Sequence, residues 1–152
     1  MSEPGTIRHV HSRLGFAVEL PEGSEVHEDV DAAVLLALEP MRDAGFRANI
    51  AITLDALEGD VELDRFTDAA LEVQDRLLHD FVVLDRGYAP VGGRPATRTL
   101  GHHDLDGLAL CVEQWRLVDG RDGWTLTATS WALDYDEVAD ALAASAESLE
   151  LP

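Results

Sequence analysis

Apolar and polar residues alternate along most of this chain, and twice the alternation gives way to a helical rhythm. Residues 6–12 and 14–20 read as strands, and in the second Phe16, Val18 and Leu20 share one face, because successive strand side chains point to opposite sides. Pro21-Glu22-Gly23 ends it with turn chemistry. Ala32 to Leu38 is almost continuously apolar, and Pro40 limits its length. Periodicity alone also admits a short helix there; we read a strand covered on both faces. Arg47 to Leu54 is a clearer strand, with Ile50, Ile52 and Leu54 on one side.

The rhythm changes at Glu62. From there to Asp80, Leu63, Phe66, Ala70, Val73 and Leu77 fall at steps of three and four, which puts one apolar stripe on an α-helix. Asp60, Glu62 and Asp64 lie at the positive end of its dipole, and Arg76 and His79 near the negative end. The stripe is expected to pack on a sheet that contains Ile50 and Ile52. Val82 to Tyr88 returns to strand, Val91-Gly92-Gly93-Arg94-Pro95 is a turn, and Ala96 to His102 is the next strand. Asp104-Leu105-Asp106-Gly107 and Asp119-Gly120-Arg121-Asp122-Gly123 are hairpin turns around Leu108–Val118, leading into Trp124–Ala132. These strands form an antiparallel meander. A second helix starts at Asp134 or Asp136, with Asp134 and Glu137 at capping-box spacing. Val138, Leu142 and Leu149 give it an apolar face, with Ala146 between them. The pattern is a single α+β domain over residues 1–152: a mainly antiparallel β-sheet with flanking helices. No linker, repeat or low-complexity segment divides it.

Length agrees with one domain. A chain of 152 residues buries about two-thirds of its unfolded surface, so neither a disulfide nor a metal is needed for stability. Charge narrows the partners. Asp and Glu number 30 against 11 basic residues, for a net charge of −19 and a pI near 4.3. All the basic residues are Arg. Arg-only usage in an Ala/Asp/Leu/Val-rich chain suggests a high-GC, actinobacterial genome, with a halophile as the second reading. Such charge keeps a protein soluble and repels polyanions, so neither nucleic acid nor an anionic membrane surface is an expected partner. A basic protein would be attracted. The N-terminus has no signal-peptide pattern and no apolar run approaches a membrane span. The sequence reads as cytoplasmic.

Candidate chemistry is sparse. Cys111, the single cysteine, sits between Leu110 and Val112, the setting of an inert buried thiol. Among the six histidines, His102-His103-Asp104 with Asp106 is the densest cluster. Adjacent strand residues point to opposite faces, and structural zinc needs four convergent ligands, so no metal or other cofactor is expected. No Gly-x-Ser-x-Gly occurs. Gly92 and Gly93 precede Arg94-Pro95 rather than a Gly-Lys-Ser helix start, which excludes a phosphate loop. No residue is assigned a catalytic role, and an enzyme is not expected. The meander supplies the candidate partner-binding surface: Glu113 and Trp115 on one strand, Thr127, Thr129 and Trp131 on the next. Aromatics, hydroxyls and a carboxylate on neighbouring strands can line a ligand or peptide groove; they are equally what a core beneath a helix uses.

Two short motifs carry a resemblance. Gly15-Phe16-Ala17-Val18-Glu19-Leu20-Pro21 and Val91-Gly92-Gly93-Arg94-Pro95-Ala96, in this order of elements, look like the PsbP/Mog-type fold superfamily. The chain is similar to actinobacterial LpqN-like proteins and, more distantly, to the small chaperones of type VI secretion effectors. The resemblance implies an antiparallel sheet with helices on its faces, an α/β/α sandwich, in a superfamily of mostly non-enzymatic binding proteins. It reaches no functional motif. The lipoprotein signal and lipobox Cys of LpqN have no counterpart here, so no membrane anchor is implied. The expected function is a non-enzymatic, chaperone-like adaptor that binds a protein or peptide. One alternative is a small acidic inhibitor or immunity-type protein for a basic partner. Another is a small-molecule binder or enzyme that uses the sheet groove. Homo-oligomerisation is compatible with all three.

Overall fold

The computed structural model describes residues 5–40 and 45–152. Their elements run β1 (Thr6–Val10), β2 (Ala17–Pro21), β3 (Glu25–Val30), β4 (Ala33–Leu38), β5 (Asn49–Ala56), α1 (Leu63–Leu77), β6 (His79–Tyr88), β7 (Thr97–Leu105), β8 (Leu108–Asp119), β9 (Asp122–Trp131) and α2 (Tyr135–Glu147). Seven strands form one antiparallel sheet in the order β3-β4-β5-β9-β8-β7-β6, and β1 and β2 form a separate hairpin. The fold is α+β, as the sequence pattern predicts. None of the described helices is long and apolar enough to cross a membrane.

The meander turns are tighter than the sequence suggests. Leu105 pairs with Leu108, which leaves Asp106 and Gly107 as the turn at φ 51° and 82°, the double positive φ of a type I′ hairpin. Asp119 pairs with Asp122 around Gly120 at φ 59° and Arg121. Strand β3 has no counterpart in the sequence reading. Its Glu-Val-His-Glu-Asp-Val run offers Val26 and Val30 as its only apolar residues, too weak an alternation to stand alone, and it is recruited by pairing with β4.

One face of the sheet carries the main core. Leu35, Ala37, Ile50, Ile52, Leu126, Trp115, Leu117 and Trp124 pack there with Leu142, Ala146 and Leu149 of the C-terminal segment and with Phe16, Val18 and Leu20 of the β1–β2 hairpin. Phe16 meets Trp124 edge to face at 5.4 Å, the orientation aromatic quadrupoles favour. The hairpin is tied to the chain end by reciprocal backbone bonds, Ala17 N–H to Glu150 O (3.0 Å) and Glu150 N–H to Ala17 O (2.8 Å). The turn after β6 closes α2: Gly92 N–H donates to Glu147 O at 3.0 Å. At φ 55°, a Cβ on Gly92 would stand 2.1 Å from Leu149 O, so only glycine fits that close approach. Asp134 precedes α2 but makes no side-chain bond to its first turn. A 3₁₀ turn over Ala132–Asp134 leaves its backbone helical, at φ −99° and ψ −6°, whereas a capping box needs an extended cap.

Helix α1 lies on the opposite face, chiefly over β6, β7 and β8. It therefore packs on the sheet that contains Ile50 and Ile52 but not on those side chains, which face α2. Its stripe is also less buried than its periodicity implies. Phe66 and Thr67 are buried, while Val73 is 42% and Leu77 76% exposed.

Polar groups join the β1–β2 hairpin to β3. His11 is buried and stacked on Phe16. Its Nδ1 accepts from the Arg13 and Leu14 N–H groups (3.2 and 3.0 Å), which fixes the proton on Nε2, where it donates to Val34 O at 3.0 Å. Glu28 accepts from the Ser12 hydroxyl, the Ser12 N–H (3.1 Å) and His9 (2.7 Å). These bonds, the hydroxyl foremost, hold its carboxyl down to about 2 from an ordinary 4.5. A depressed carboxyl stabilises the fold fully above its unfolded value and loses that contribution as pH falls toward its folded value. Between pH 4.5 and 2 the wild type is expected to lose stability faster than Glu28→Gln. Parallel thermal melts check this, and melting curves that fall in parallel over that window would contradict it.

Candidate functional site

Strand β8 sits between α1 and α2, and all its residues from Leu110 to Leu117 are buried. Alternation sends its odd residues to the α2 side and its even residues to the α1 side. Both sides hold polar groups, and they are satisfied differently.

On the α2 side, Glu113 is buried and pairs with the Arg98 guanidinium of β7. Arg98 also donates to Asp85 at 3.1 Å, and the Tyr135 hydroxyl donates to Glu113 at 3.4 Å. The buried Glu113–Arg98 pair is charge-balanced, and the second carboxylate, Asp85, is exposed. Burial, helped by the Glu113 charge, pushes the Tyr135 phenol and the Cys111 thiol up. Cys111 is therefore a protonated, packed thiol rather than a nucleophile.

On the α1 side the balance fails. Arg116 is 1% exposed. Its Nη2 donates to Gln114 Oε1 at 2.7 Å and its Nη1 reaches Thr99 Oγ1 at 3.4 Å, both neutral acceptors, and its Nε finds no partner. No ion pair to Arg116 occurs among the described residues; the charge it feels is that of Arg86, and burial with that repulsion pulls its guanidinium down to about 10. It stays cationic at neutral pH. An isolated buried charge costs several kcal/mol, and this one lies in a protein of net charge −19.

Around Arg116 runs a polar layer. Gln114 Nε2 donates to Thr127 Oγ1 at 3.0 Å, and Gln74 Nε2 of α1 donates to Gln114 Oε1 at 2.8 Å. The Thr67 hydroxyl donates to Leu63 O (2.9 Å) and so accepts from Thr97 (2.7 Å). Between α1 and β9 this layer opens into a cleft of about 530 Å³, walled by Phe66, Ala69, Ala70 and Val73, floored by Gln114, Arg116, Thr125 and Thr127, and rimmed by Thr53, Asp55 and Gln74. That volume suits a small ligand or a peptide end.

The five residues predicted to form one partner-binding surface are split by the sheet. Trp115 pairs with Leu126 and Gln114 with Thr127, so Glu113 and Trp115 face α2 while Thr127, Thr129 and Trp131 face the α1 side. Trp115 is fully buried and belongs to the core. Thr127 lines the cleft, and Thr129 and Trp131 continue from it as half-buried residues. Arg116, Gln114 and Gln74 were not singled out from sequence. The available signal was two charged residues, Glu113 and Arg116, inside the apolar run of a central strand. His102 and His103 point to opposite faces of β7, as adjacency implies. Three donor groups of His79, Asp80 and Asp104 lie within 4.8 Å of one another, but His79 and Asp80 already form an exposed ion pair at 3.2 Å, and three groups fall short of a structural zinc set.

No family model and no curated protein matches the chain, but solved structures do. LpqN, involved in cell envelope biogenesis of Mycobacterium tuberculosis, superposes with a TM-score of 0.75 at 16% identity, over 99% of this chain and 93% of LpqN. CyanoP, the cyanobacterial PsbP of Synechocystis, gives 0.73 at 11%, over 100% and 95%. The Saccharomyces cerevisiae Ran-binding protein Mog1p gives 0.61 at 12%, over 99% and 86%. The chain has the PsbP/Mog-like fold, with similarity to LpqN along nearly its whole length.

The two buried clusters predict opposite mutational responses. Arg116→Met removes an uncompensated charge at similar volume and is expected to leave stability unchanged or raise it by up to about 4 kcal/mol. Glu113→Gln strips Arg98 of its buried partner and is expected to cost on the order of 3 kcal/mol. Urea melts check both, and a greater loss for Arg116→Met than for Glu113→Gln would refute the contrast.

Proposed function

We propose that this chain is a non-catalytic binding protein, and that a protein or peptide docks on the α1 side of its sheet. One observation carries the reading. Helix α1 lies over β6, β7 and β8, and beside it β4, β5 and β9 present Leu36, Leu38, Ala51, Thr129 and Trp131 half-buried, with no described helix above them. A half-covered sheet face with apolar residues next to a polar cleft is the composition of an interface core and its rim. The opposite face is covered by α2 and the β1–β2 hairpin, which leave beside α2 a smaller cleft of about 200 Å³ lined by Ala37, Ala48, Ile50, Val138, Ala141 and Leu142.

Two further points support binding over catalysis. The single thiol is buried and protonated, and the buried carboxylate Glu113 is neutralised by Arg98. Of the proteins that share the fold, Mog1p is named for binding Ran and LpqN for cell envelope biogenesis; neither name describes a reaction. The net charge of −19 favours a partner with a basic surface around its contact, since complementary charge steers association.

The test uses a partner captured by the wild-type protein and its direct binding curve. Ala51→Arg and Thr129→Arg, each on the half-covered strip, are expected to weaken binding at least about tenfold, a hot-spot-sized effect, with melting temperatures near wild type. Asp140→Arg, exposed on α2, is expected to bind as wild type. Equal binding by all three variants would contradict docking on this face.

A further inference from the structure

We propose that the cleft between α1 and β9 holds the C-terminal carboxylate of a peptide ending in an apolar residue, anchored by Arg116. The proposal rests on the reading of the α1 side as the docking face and names what that face takes in.

Three features converge on this chemistry. First, the cleft floor holds a buried guanidinium whose Nε–H has no acceptor and whose charge meets no carboxylate among the described residues. A guanidinium fork matches the planar, two-oxygen acceptor of a carboxylate. Second, the same cleft holds an orphan acceptor. Gln74 Oε1 is buried without a donor, and its orientation follows from its neighbours. Arg116 needs an oxygen from Gln114 at 2.7 Å, and Gln114 then turns its Nε2 to Thr127. Gln74 must therefore give its own Nε2 to Gln114 Oε1, which leaves Oε1 open. An anionic acceptor for Arg116 and an N–H donor for Gln74, side by side in one ligand, describe the last peptide unit of a chain: a carboxylate with its amide N–H one carbon away. A simple fatty carboxylate supplies only the first. Third, Phe66, Ala70 and Val73 of α1 give the cleft an apolar wall for the terminal side chain.

Access and selectivity follow from the surroundings. Arg116 is 1% exposed, so binding requires α1 to move outward. That helix buries only Phe66 and Thr67; the other ties an outward movement breaks are polar, from Gln74 to Gln114, Thr67 to Thr97, Asp64 to Tyr88 and Asp68 to Arg86. Asp55, the one carboxylate lining the cleft, sits at its rim and disfavours a ligand with negative charge at both ends. The long-range repulsion between an anion and this acidic protein is largely screened at 0.15 M salt, whereas a buried ion pair is screened far less.

The experiment follows the Arg116 Nε–Hε resonance, assigned by its absence in Arg116→Met, during titration at 0.15 M salt. The probes are acetyl-Ala-Ala-Leu with a free C-terminus, the same peptide as its C-terminal amide, and sodium hexanoate. The free-acid peptide is expected to shift the Arg116 resonance and to bind at least about tenfold more tightly than the amide, the scale of one charged hydrogen bond. Hexanoate is expected to bind more weakly than the free-acid peptide. Gln74→Leu, which keeps Arg116, is expected to erase the peptide's advantage over hexanoate, and Arg116→Met the preference for acid over amide. Equal response to acid and amide, or response to neither, would overturn the carboxylate site. Hexanoate binding as tightly as the peptide would overturn the assignment to a peptide terminus. Partner loss in Ala51→Arg and Thr129→Arg alongside a silent Arg116 resonance would leave the docking face in place and remove this proposal alone.

Discussion

Strand β8 is buried from Leu110 to Leu117 because it lies between two helices, and the rest of the structure follows from how its polar residues are accommodated there. A strand covered on both faces normally reads as a run of Val, Ile and Leu. This one carries Glu113, Gln114 and Arg116. Each must be paired within the sheet or leave a cost of a few kcal/mol, so the neighbouring strands supply partners at fixed register. Arg98 of β7 sits two residues out of register from Glu113, on the same face, and neutralises it. Thr99 and Thr127 stand across from Gln114 on either side.

The two faces therefore have different characters. The α2 side is a core of aromatic and branched side chains, braced by the β1–β2 hairpin and by Gly92 under the end of α2, with one small cleft beside α2. The α1 side is a layer of Thr, Gln and Arg over which one helix buries Phe66 and Thr67 and is held otherwise by polar pairs. Close packing of the first kind makes a rigid scaffold. Polar satisfaction of the second kind, with Arg116 left without a countercharge, makes a surface whose groups are held in place but not exhausted by one another. The indole N–H groups of Trp115 and Trp124 also lack acceptors, but inside the packed core; the unspent capacity of Arg116 Nε and Gln74 Oε1 lies beside a cleft, as expected when a rigid scaffold positions a binding face.

The fold was legible in the sequence because its strongest signals are local. Ile50 and Ile52, Phe16 and Val18, and the spacing from Leu63 to Leu77 announce strands and helix through period alone. Strand β3 was not legible, since Glu25, His27 and Asp29 face outward and only Val26 and Val30 mark its inner side; its existence depends on pairing with β4. The site was half legible. Thr127, Thr129 and Trp131 were singled out, but joining them to Glu113 and Trp115 required the parity of the β8–β9 hairpin. Read as a five-residue turn, Asp119–Gly123 leaves that parity open. With Gly120 and Arg121 alone as the turn, it puts Trp115 opposite Leu126 and Trp131 on the other face. Arg116 was hidden for a related reason: a charged residue in a strand reads as solvent-facing until both faces are known to be covered.

The central claim is that α1 is the weakly held layer over a sheet that is otherwise the most stable part of the molecule. Native-state amide hydrogen exchange tests it most directly, because it separates local opening from global unfolding residue by residue. The amides of β8 and β9 should exchange only with the free energy of global unfolding, and those of α1 from Ala70 to Leu77 should open at markedly lower free energy. Exchange of α1 together with β8 at the global value would show a helix locked onto the sheet, and would contradict a cleft that opens to admit a ligand.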